Sequence, residues 1–314
     1  METYLSRNYH IKGIGYRFAF DIILICLIQQ INLFTIIYRI NMLDMSDKSV
    51  NMYIVFSVIF ILIILYVSTH QRIISEPGYF IMDNLLSENQ VAVVLSYWDK
   101  RDFVSIKHFF LNNKHIISKI HEVLPQEYVL IDYTYVIENS SIHTFHRDYT
   151  SSKNYNNLKY PSYTMILYLD KSDTGLNIIP GSHRDNSYVY IHNQAKKLHF
   201  VPGTAVIFDA DILHAGSIVH NDIKRRCIQF KIIHKEDIHK LPSLQNYHVL
   251  INRPNNKSIS LKEVESILTR HFPFFMDIFQ EHIKTSFSED KSMIQNIVSK
   301  IIFSDTDFYK PIRI

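Results

Sequence analysis

Cysteine, glycine and proline are all scarce in this chain, and each shortage argues against a class of protein. The two cysteines, Cys26 and Cys227, cannot form the framework of bridges that holds small secreted domains together, so a reducing compartment fits the sequence. With 7 Gly and 9 Pro among 314 residues, a long flexible linker is not expected. The net charge is only +3, and no dense run of Lys and Arg is interleaved with aromatic residues, so nucleic acid is not an expected partner.

Apolar residues are abundant and include two long runs near the N-terminus, residues 18–38 and 52–68. Both are long enough to cross a bilayer as helices, the second at the short end of the range but without a charged residue. Slightly more positive charge lies outside this pair of runs than in the loop between them, residues 39–51. The sequence therefore predicts two transmembrane helices in a multi-pass membrane protein, with the following domain in the cytosol. The alternative is a pair of buried core helices. A secretory signal is not expected, because the first run has no small-residue cleavage site.

The pattern changes after these runs. Residues 79–123 have apolar side chains at helical spacing and predict helices, which end at Pro125. From Glu127 onward, short runs rich in β-branched and aromatic residues alternate with turn sequences, without intervening helices. Such a pattern predicts an antiparallel sandwich or jelly roll. The predicted strands are 128–137, 162–169, 176–179, 188–191, 204–208 and 225–233.

Helical patterning returns after His234. Ser260 and Glu263 have the spacing of a capping box, Pro273 interrupts the pattern, and a last helix is predicted over about residues 288–303. The chain is thus predicted to be an α+β protein of three parts: an N-terminal membrane-anchoring hairpin (1–74), a β-rich domain (75–239) and a C-terminal helical extension (240–314).

Three His-x-Asp triplets begin at His146, His183 and His220. In an extended segment, the first and third residues leave the same face of a sheet, so each triplet offers two metal ligands side by side. His183 follows a Pro-Gly-Ser turn and His220 lies in a polar loop sequence, whereas His146 comes shortly after a strong strand. We therefore select His146 and Asp148. The alternative is an exposed strand whose Asp148 forms a salt bridge with a nearby lysine.

A third ligand must come from a distant strand. His214 follows a buried strand and a turn, and its small neighbours Ala215 and Gly216 leave room for a cofactor. His199 follows two lysines and precedes a Pro-Gly turn, which favours a surface position, and His192 lies in a polar turn. With His214 the group becomes a set of two imidazoles and one carboxylate, which holds Fe(II) on one side and leaves the other side open.

Two arginines, Arg225 and Arg226, open the strand that follows His214. Alternation places Arg225 with Cys227 and Gln229 on the more polar face of this strand. A guanidinium carried into a protein interior needs an anion, and a dicarboxylate cosubstrate supplies one through a bidentate contact. We select Arg225, with Arg226 as the alternative; two surface arginines beside a turn are the simpler interpretation.

These residues together resemble the phytanoyl-CoA dioxygenase family of Fe(II)/2-oxoglutarate-dependent oxygenases. The likeness rests on the triplet at His146, the Ile-Pro-Gly-Ser-His turn within 175–183, the segment 208–217, and Arg225. It covers residues 75–235, and it implies that His183 marks the turn rather than binding metal. One departure is Arg147, where the family often has an uncharged residue; this side chain would contact an anionic substrate or point outward.

The resemblance implies a double-stranded β-helix, a jelly-roll or cupin-like core with flanking helices. It implies that His146, Asp148 and His214 bind Fe(II) and that 2-oxoglutarate chelates the metal. The far carboxylate of 2-oxoglutarate would contact Arg225, with Ser217 assisting. Related halogenases lack the carboxylate ligand, so Asp148 favours hydroxylation over halogenation.

The sequence therefore predicts a membrane-anchored Fe(II)/2-oxoglutarate-dependent dioxygenase that consumes dioxygen, releases succinate and CO2, and takes ascorbate as a reductant. Its hydroxylation substrate would be a small molecule or, as the anchor suggests, a lipid or acyl chain. Two other classes remain open. One is a catalytically silent β-helix scaffold or binding protein at the membrane. The other is a zinc hydrolase with the same ligands, which gives Arg225 no role and lacks an identifiable general base.

Overall fold

The computed structural model describes residues 77–139, 142–152, 157–185, 190, 195–218, 225–244, 249–252, 257–273, 276 and 312–313. These ranges combine helices and sheets in an α+β arrangement. In chain order the elements are β1 (Tyr79–Met82), α1 (Glu88–Asp99), α2 (Phe103–Asn112), α3 (Lys114–His121), β2 (Tyr128–Glu138), β3 (Tyr163–Tyr168), β4 (Ser172–Ile178), β5 (Lys196–Phe200), β6 (Ala205–Asp209), β7 (His214–Gly216), β8 (Arg226–His234), two 3₁₀ helices (Lys235–Lys240 and Pro242–Leu244), β9 (Val249–Ile251), α4 (Ile259–His271) and β10 (Ile312–Arg313).

The strands form two sheets. The larger sheet has the order β1-β6-β3-β8-β2-β9-β10, and its strand pairs are antiparallel except for β2 and β9, which run parallel. The smaller sheet has the order β5-β4-β7 and is antiparallel. Because successive side chains of a strand point to opposite faces, β3, β6 and β8 each contribute to two separate buried clusters.

One face of the larger sheet packs against the helices that precede it in the chain. Met165, Leu167, Ile207 and Phe230 point to this face and are fully buried in one cluster with residues of α1, α2 and α3. The ring of Phe230 lies 4.8 Å from that of Phe110 in α2, measured between centroids. The apolar stripe predicted over residues 79–123 is therefore core, as its periodicity suggests.

The opposite face packs against the smaller sheet. Ile166 and Phe208 of the larger sheet share a buried cluster with Leu176 and Phe200 of the smaller one. Tyr168 stacks on Phe200, with ring centroids 4.0 Å apart. Two sheets with mainly antiparallel pairing, packed face to face, form the sandwich that the strand pattern predicts.

Four of the predicted strands match β2, β3, β6 and β8 to within a residue at each end. The strand predicted at 176–179 begins earlier, at Ser172. Of residues 188–191 the structure describes only Tyr190, which belongs to no strand. Strands β1, β5, β7 and β9 were not predicted, because strands of three to five residues are too short to show alternation. The segment 79–123, predicted to be mainly helical, contains α1–α3 but begins with the strand β1.

The residues after His234 fold with the β-rich domain. The described residues on both sides of His234 belong to one compact unit, in which β9 pairs with β2. Helix α4 has Ser258 as its N-cap, two residues before the predicted one, and ends before Pro273 as predicted. The helix predicted over 288–303 lies outside the described residues.

The prediction of a multi-pass membrane protein is contradicted within the part of the chain that the structure describes. There, no helix is both long and apolar enough to cross a bilayer. The longest described helix, α4, has 13 residues, whereas a span needs about 20. The two apolar runs themselves, 18–38 and 52–68, lie outside the described residues.

Candidate metal centre

Residues 142–148 run beside β7 and bring two of the predicted ligands next to the third. The main-chain N–H of His146 donates to His214 O at 2.9 Å, and that of His214 donates to His146 O at 3.0 Å. The N–H of Gly216 donates to Ile142 O at 2.7 Å, which extends the antiparallel pairing. Because β7 also pairs with β4, main-chain hydrogen bonds fix the triplet against the smaller sheet.

The side chains of His146, Asp148 and His214 converge. One possible ligand atom from each lies within 4.8 Å of the others, a grouping able to hold a metal ion. His214 Nε2 lies 3.8 Å from Asp148 Oδ1, and the two imidazole centroids are 4.5 Å apart. All three side chains are buried. The structure thus brings together the three predicted residues; that they bind a metal stays a prediction.

Main-chain carbonyls orient both imidazole rings. His146 Nδ1 lies 2.8 Å from Thr144 O, and His214 Nδ1 lies 3.1 Å from Ile212 O. Because a carbonyl oxygen only accepts, each Nδ1 carries the hydrogen, and each Nε2 is left with the lone pair that a metal requires. Burial lowers the pKa of His214 to about 3, and a charge on His146 acts in the same direction. His214 is therefore neutral at pH 7 and can bind a cation without first losing a proton.

The two carboxylate oxygens of Asp148 have different surroundings. Oδ2 lies 2.8 Å from Lys231 Nζ and accepts a hydrogen bond from the Thr164 hydroxyl. Oδ1 instead faces His214. Burial by itself raises the pKa of Asp148, but the charges of Lys231, His214 and His146 outweigh it and hold the pKa well below its usual value. Asp148 is therefore ionised at pH 7, as a metal ligand must be.

Arg225 is the buried member of the arginine pair. It is only 3% exposed; its Nη1 donates to Ser217 O at 3.0 Å, and its Nη2 donates to Gly175 O at 3.1 Å. The guanidinium carbon lies 5.9 Å from the centroid of the Tyr168 ring. Ser217 is three residues beyond His214, about 10 Å along an extended chain, so the guanidinium contacts the end of the strand that begins at a predicted ligand.

Arg226 lies elsewhere. It is half-buried, and its Nε and Nη2 donate to the carboxylate of Asp170, with the shorter contact at 2.6 Å. The interpretation of both arginines as surface residues is therefore wrong for Arg225. Which of the two binds a cosubstrate is not decided by burial alone, and Arg225 stays a prediction in that role.

Arg225, Cys227, Gln229 and Lys231 share one face of the β8 segment by alternation. Gln229 lies between the two charged residues and is half-buried, opposite Tyr135 of β2 and Ile166 of β3. Burial raises the pKa of Tyr135, so its hydroxyl stays protonated at pH 7. This face of β8 therefore offers neutral hydrogen-bonding groups between two buried cations.

The other histidines considered from the sequence lie apart from this group or outside the description. His199 is exposed on β5. His183 is buried in the Pro-Gly-Ser-His turn, where its ring lies so close to Gly78 that a Cβ there would be 2.4 Å from Nδ1. His192 and His220 lie outside the described residues.

Arg147 does not point outward, contrary to one of the two expectations for it. Its side chain is 2% exposed, and its Nε donates to Asp211 O at 3.0 Å. The carboxylate of Asp211 accepts from the hydroxyls of Ser151 and Ser152 and from the main-chain N–H of Ser152. Arg147 therefore fixes the loop before β7 against the triplet segment. The alternative for the triplet, an exposed strand, is also wrong: Asp148 does pair with a lysine, but both are buried.

Lys231 and Thr164 were not predicted as parts of a site. A signal for Lys231 was present, because the alternation that puts Arg225, Cys227 and Gln229 on one face of the strand also puts Lys231 there. A lysine on an interior face requires an anion, and only the folded chain shows that the anion is Asp148. Thr164 gave no signal, since threonine is common in strands.

Helix α4 is attached to the segment that carries His146. Glu265 of α4 accepts from His143 Nε2 at 2.6 Å and from Lys257 Nζ at 2.6 Å, while Phe145 N donates to Thr269 Oγ1 at 2.8 Å. The C-terminal residues thus contribute directly to holding the triplet segment in place.

We expect replacement of Glu265 by glutamine to lower the free energy of unfolding at pH 7 by about 1–3 kcal/mol, because two charge-assisted hydrogen bonds are weakened. Burial alone raises the pKa of Glu265, but the hydrogen bonds and charges of His143 and Lys257 outweigh burial and lower the pKa below the ordinary glutamate value of 4.5. The carboxylate therefore stabilises the folded chain above about pH 4.5, and this contribution is lost as the pH falls through the lower pKa of the folded state.

Urea unfolding of wild type and E265Q across this pH range measures the difference in the free energy of unfolding, which should vanish in acid. E263Q, on the exposed side of the same helix, is the control. A difference between wild type and E265Q that does not change with pH would contradict the assignment.

No protein-family model matches the chain, and no curated protein matches it. Several solved structures resemble it. EvdO2 from Micromonospora carbonacea var. aurantiaca has 14% identity and a TM-score of 0.40, over 51% of this chain and 87% of that one. HygX from Streptomyces hygroscopicus, solved with nickel and 2-oxoglutarate bound, has 11% identity and a TM-score of 0.41, over 50% and 83%. SnoN, a non-heme alpha ketoglutarate dependent epimerase from nogalamycin biosynthesis, has 11% identity and a TM-score of 0.41, over 55% and 83%.

HygX has also been solved with iron bound, and SnoN with Fe3+ and alpha ketoglutarate. Identities and scores this low say nothing about the activity of the present chain. The resemblance to phytanoyl-CoA dioxygenases therefore stays a prediction, and what this chain binds is inferred from its own residues.

Proposed function

We propose that residues 75–239 form an Fe(II)- and 2-oxoglutarate-dependent oxygenase. The observation that carries the proposal is the convergence of His146, Asp148 and His214 inside the sandwich. The buried guanidinium of Arg225, in contact with the strand that begins at His214, supports it. Neither feature alone would distinguish this function from a structural ion pair.

The donor set fits Fe(II). Two imidazoles and one carboxylate on one side of a metal form the facial set used by non-haem iron oxygenases, with the opposite positions left open. The protonation states fit as well, since Asp148 is ionised and His214 neutral at pH 7. The Nδ1–H groups of the two imidazoles donate to Thr144 O and Ile212 O, which holds each ring in the tautomer that a metal needs.

Arg225 fits the far carboxylate of 2-oxoglutarate. Its contacts with the carbonyls of Ser217 and Gly175 orient the guanidinium but do not neutralise its charge. A dicarboxylate can reach the metal at one end and a guanidinium at the other, and a planar guanidinium binds a carboxylate through two parallel hydrogen bonds. We assign the contact with the far carboxylate to Arg225, and assistance from Ser217 to the same end of the pocket.

With Fe(II) and 2-oxoglutarate bound, such a site couples the oxidation of 2-oxoglutarate to succinate and CO2 with insertion of the other oxygen atom of dioxygen into a substrate C–H bond. The residues of this chain supply the metal ligands, orient the cosubstrate and limit the access of water, because His146, Asp148, His214 and Arg225 are all buried. Ascorbate would keep the iron reduced between turnovers.

The expectation of a lipid or acyl substrate depended on the membrane anchor, which the described residues do not support. A small organic molecule is the class that a buried site of this kind accommodates.

The direct test uses the purified full-length protein, loaded with Fe(II) without oxygen. Addition of 2-oxoglutarate is expected to produce a visible charge-transfer absorption at one equivalent. Admission of oxygen with ascorbate should then release succinate slowly even without substrate. Protein that binds stoichiometric iron but neither 2-oxoglutarate nor oxygen would overturn the proposal.

The same experiment separates the two other classes. A silent scaffold binds no metal at one equivalent. A zinc hydrolase binds Zn(II) but shows no 2-oxoglutarate dependence, and the second oxygen of Asp148, held by Lys231, is then unavailable as a general base. Both outcomes are distinct from oxygenase behaviour.

A further inference from the structure

A buried lysine contacts the carboxylate of the candidate metal centre. Lys231 is 2% exposed, and its Nζ lies 2.8 Å from Asp148 Oδ2 and 2.7 Å from Thr164 Oγ1. Thr164 lies directly opposite Lys231 in the β3–β8 register and donates its hydroxyl hydrogen to the same Oδ2. The ammonium, the hydroxyl and one carboxylate oxygen thus form a closed group of three.

This arrangement makes the two oxygens of the Asp148 carboxylate inequivalent. Oδ2 already has two donors, one of them cationic, whereas Oδ1 lies toward His214 Nε2 at 3.8 Å. A carboxylate can bind a metal through one oxygen or through both. Because a cation at hydrogen-bonding distance competes with the metal for Oδ2, only Oδ1 is left to coordinate.

The number of coordinating oxygens matters for the proposed chemistry. A facial set of three ligands fills half of the positions of an octahedral metal, and the cosubstrate and dioxygen need the remaining half. A second oxygen from Asp148 would take one of those positions. The site would then hold the metal firmly but bind the cosubstrate poorly.

We propose that Lys231, together with Thr164, is a positioning residue that restricts Asp148 to coordination through Oδ1 and so keeps a position open for 2-oxoglutarate. The role of the open position rests on the proposed function. The coordination of a metal through Asp148 Oδ1 alone does not depend on that function. A buried ammonium is costly, and an apolar residue would fill the same space at lower cost if packing were its purpose.

The experiment compares three variants with wild type in full-length protein loaded with Co(II), whose visible absorption reports its coordination number. K231M removes the charge and keeps an unbranched side chain, and K231R restores a cation. K107M is the matched control, because Lys107 is equally buried and forms an ion pair at 2.8 Å with Asp132 on the opposite face of the larger sheet. Co(II) is titrated first, and 2-oxoglutarate second.

K231M is expected to bind Co(II) about as tightly as wild type or more tightly, with an altered visible spectrum. Its Kd for 2-oxoglutarate should rise by at least about 10-fold, the lower end of the effect typical for a group that orients a ligand. K231R should recover both properties, and K107M should match wild type. A general loss of folding would weaken both binding steps, so the divergence between them identifies positioning.

Two outcomes overturn the inference. One is a K231M protein with the spectrum and 2-oxoglutarate affinity of wild type. The other is loss of Co(II) binding in K231M while K107M retains it, which would show that Lys231 is needed to hold Asp148 at all. If wild type binds Co(II) but not 2-oxoglutarate, the proposed function fails, and the Co(II) spectra of K231M and K231R decide the coordination of Asp148 by themselves.

Discussion

Replacement of His214 by alanine is expected to abolish metal binding at one equivalent, with a loss of affinity of more than about 100-fold. The variant keeps only His146 and Asp148, and loss of a direct ligand should exceed the 10- to 100-fold cost of losing a supporting group. The measurement is metal content after gel filtration, together with thermal unfolding. At a metal concentration about 100 times the wild-type Kd, wild type should gain roughly 2.7 kcal/mol of stability, and H214A less than about 0.4 kcal/mol.

His199 provides the control for this experiment. It was the competing choice for the third ligand, and it is exposed on β5. H199A should therefore bind metal like wild type and show the same metal-dependent stabilisation. Retention of metal by H214A together with its loss in H199A would reverse the assignment. Equal retention in both would mean that the convergence of the three side chains is a structural ion-pair group rather than a metal site.

The larger elements of the fold were predictable because their patterns are long. β2 and β8 carry enough alternating residues to identify both their faces, and the helices α1–α3 show a repeated apolar stripe. β7 could not be predicted, since three residues give no alternation, although it carries the third ligand. Strand pairing is also invisible in a sequence, so the parallel addition of β9 to β2 after a helical prediction was unexpected.

The candidate site divides in the same way. His146, Asp148 and His214 could be selected because a triplet and a histidine among small residues have recognisable local context. Lys231 could have been selected from strand parity, but its partner could not, because the contact joins segments far apart in the chain. Arg147 shows the opposite failure. A charged residue between two ligands suggests an exposed or substrate-facing side chain, yet the fold buries it against the carbonyl of Asp211.

Replacement of Arg225 by methionine is expected to raise the Kd and the KM for 2-oxoglutarate by about 30-fold or more, while metal binding is unchanged. Loss of one member of a buried charge pair costs about 2–5 kcal/mol, and each 1.4 kcal/mol is a factor of ten. Because the guanidinium holds a carboxylate that does not react, its contact is the same in the ground state and the transition state. The kcat at saturating 2-oxoglutarate should therefore change much less than KM.

Arg226 makes this prediction specific. It is the neighbouring residue and the alternative from the sequence, but its guanidinium is bonded to Asp170 on the partly exposed side of β8. R226M should change the 2-oxoglutarate Kd less than about threefold, as expected for the loss of a partly exposed ion pair. The 2-oxoglutarate Kd of R225K should fall between those of wild type and R225M, since lysine keeps the charge but loses the bidentate contact.

Because R225M retains the three predicted metal ligands, stoichiometric Co(II) binding shows whether it has folded. Weak 2-oxoglutarate binding in R226M with normal binding in R225M would transfer the role to Arg226, and normal binding in both would leave the buried guanidinium of Arg225 as a structural cation.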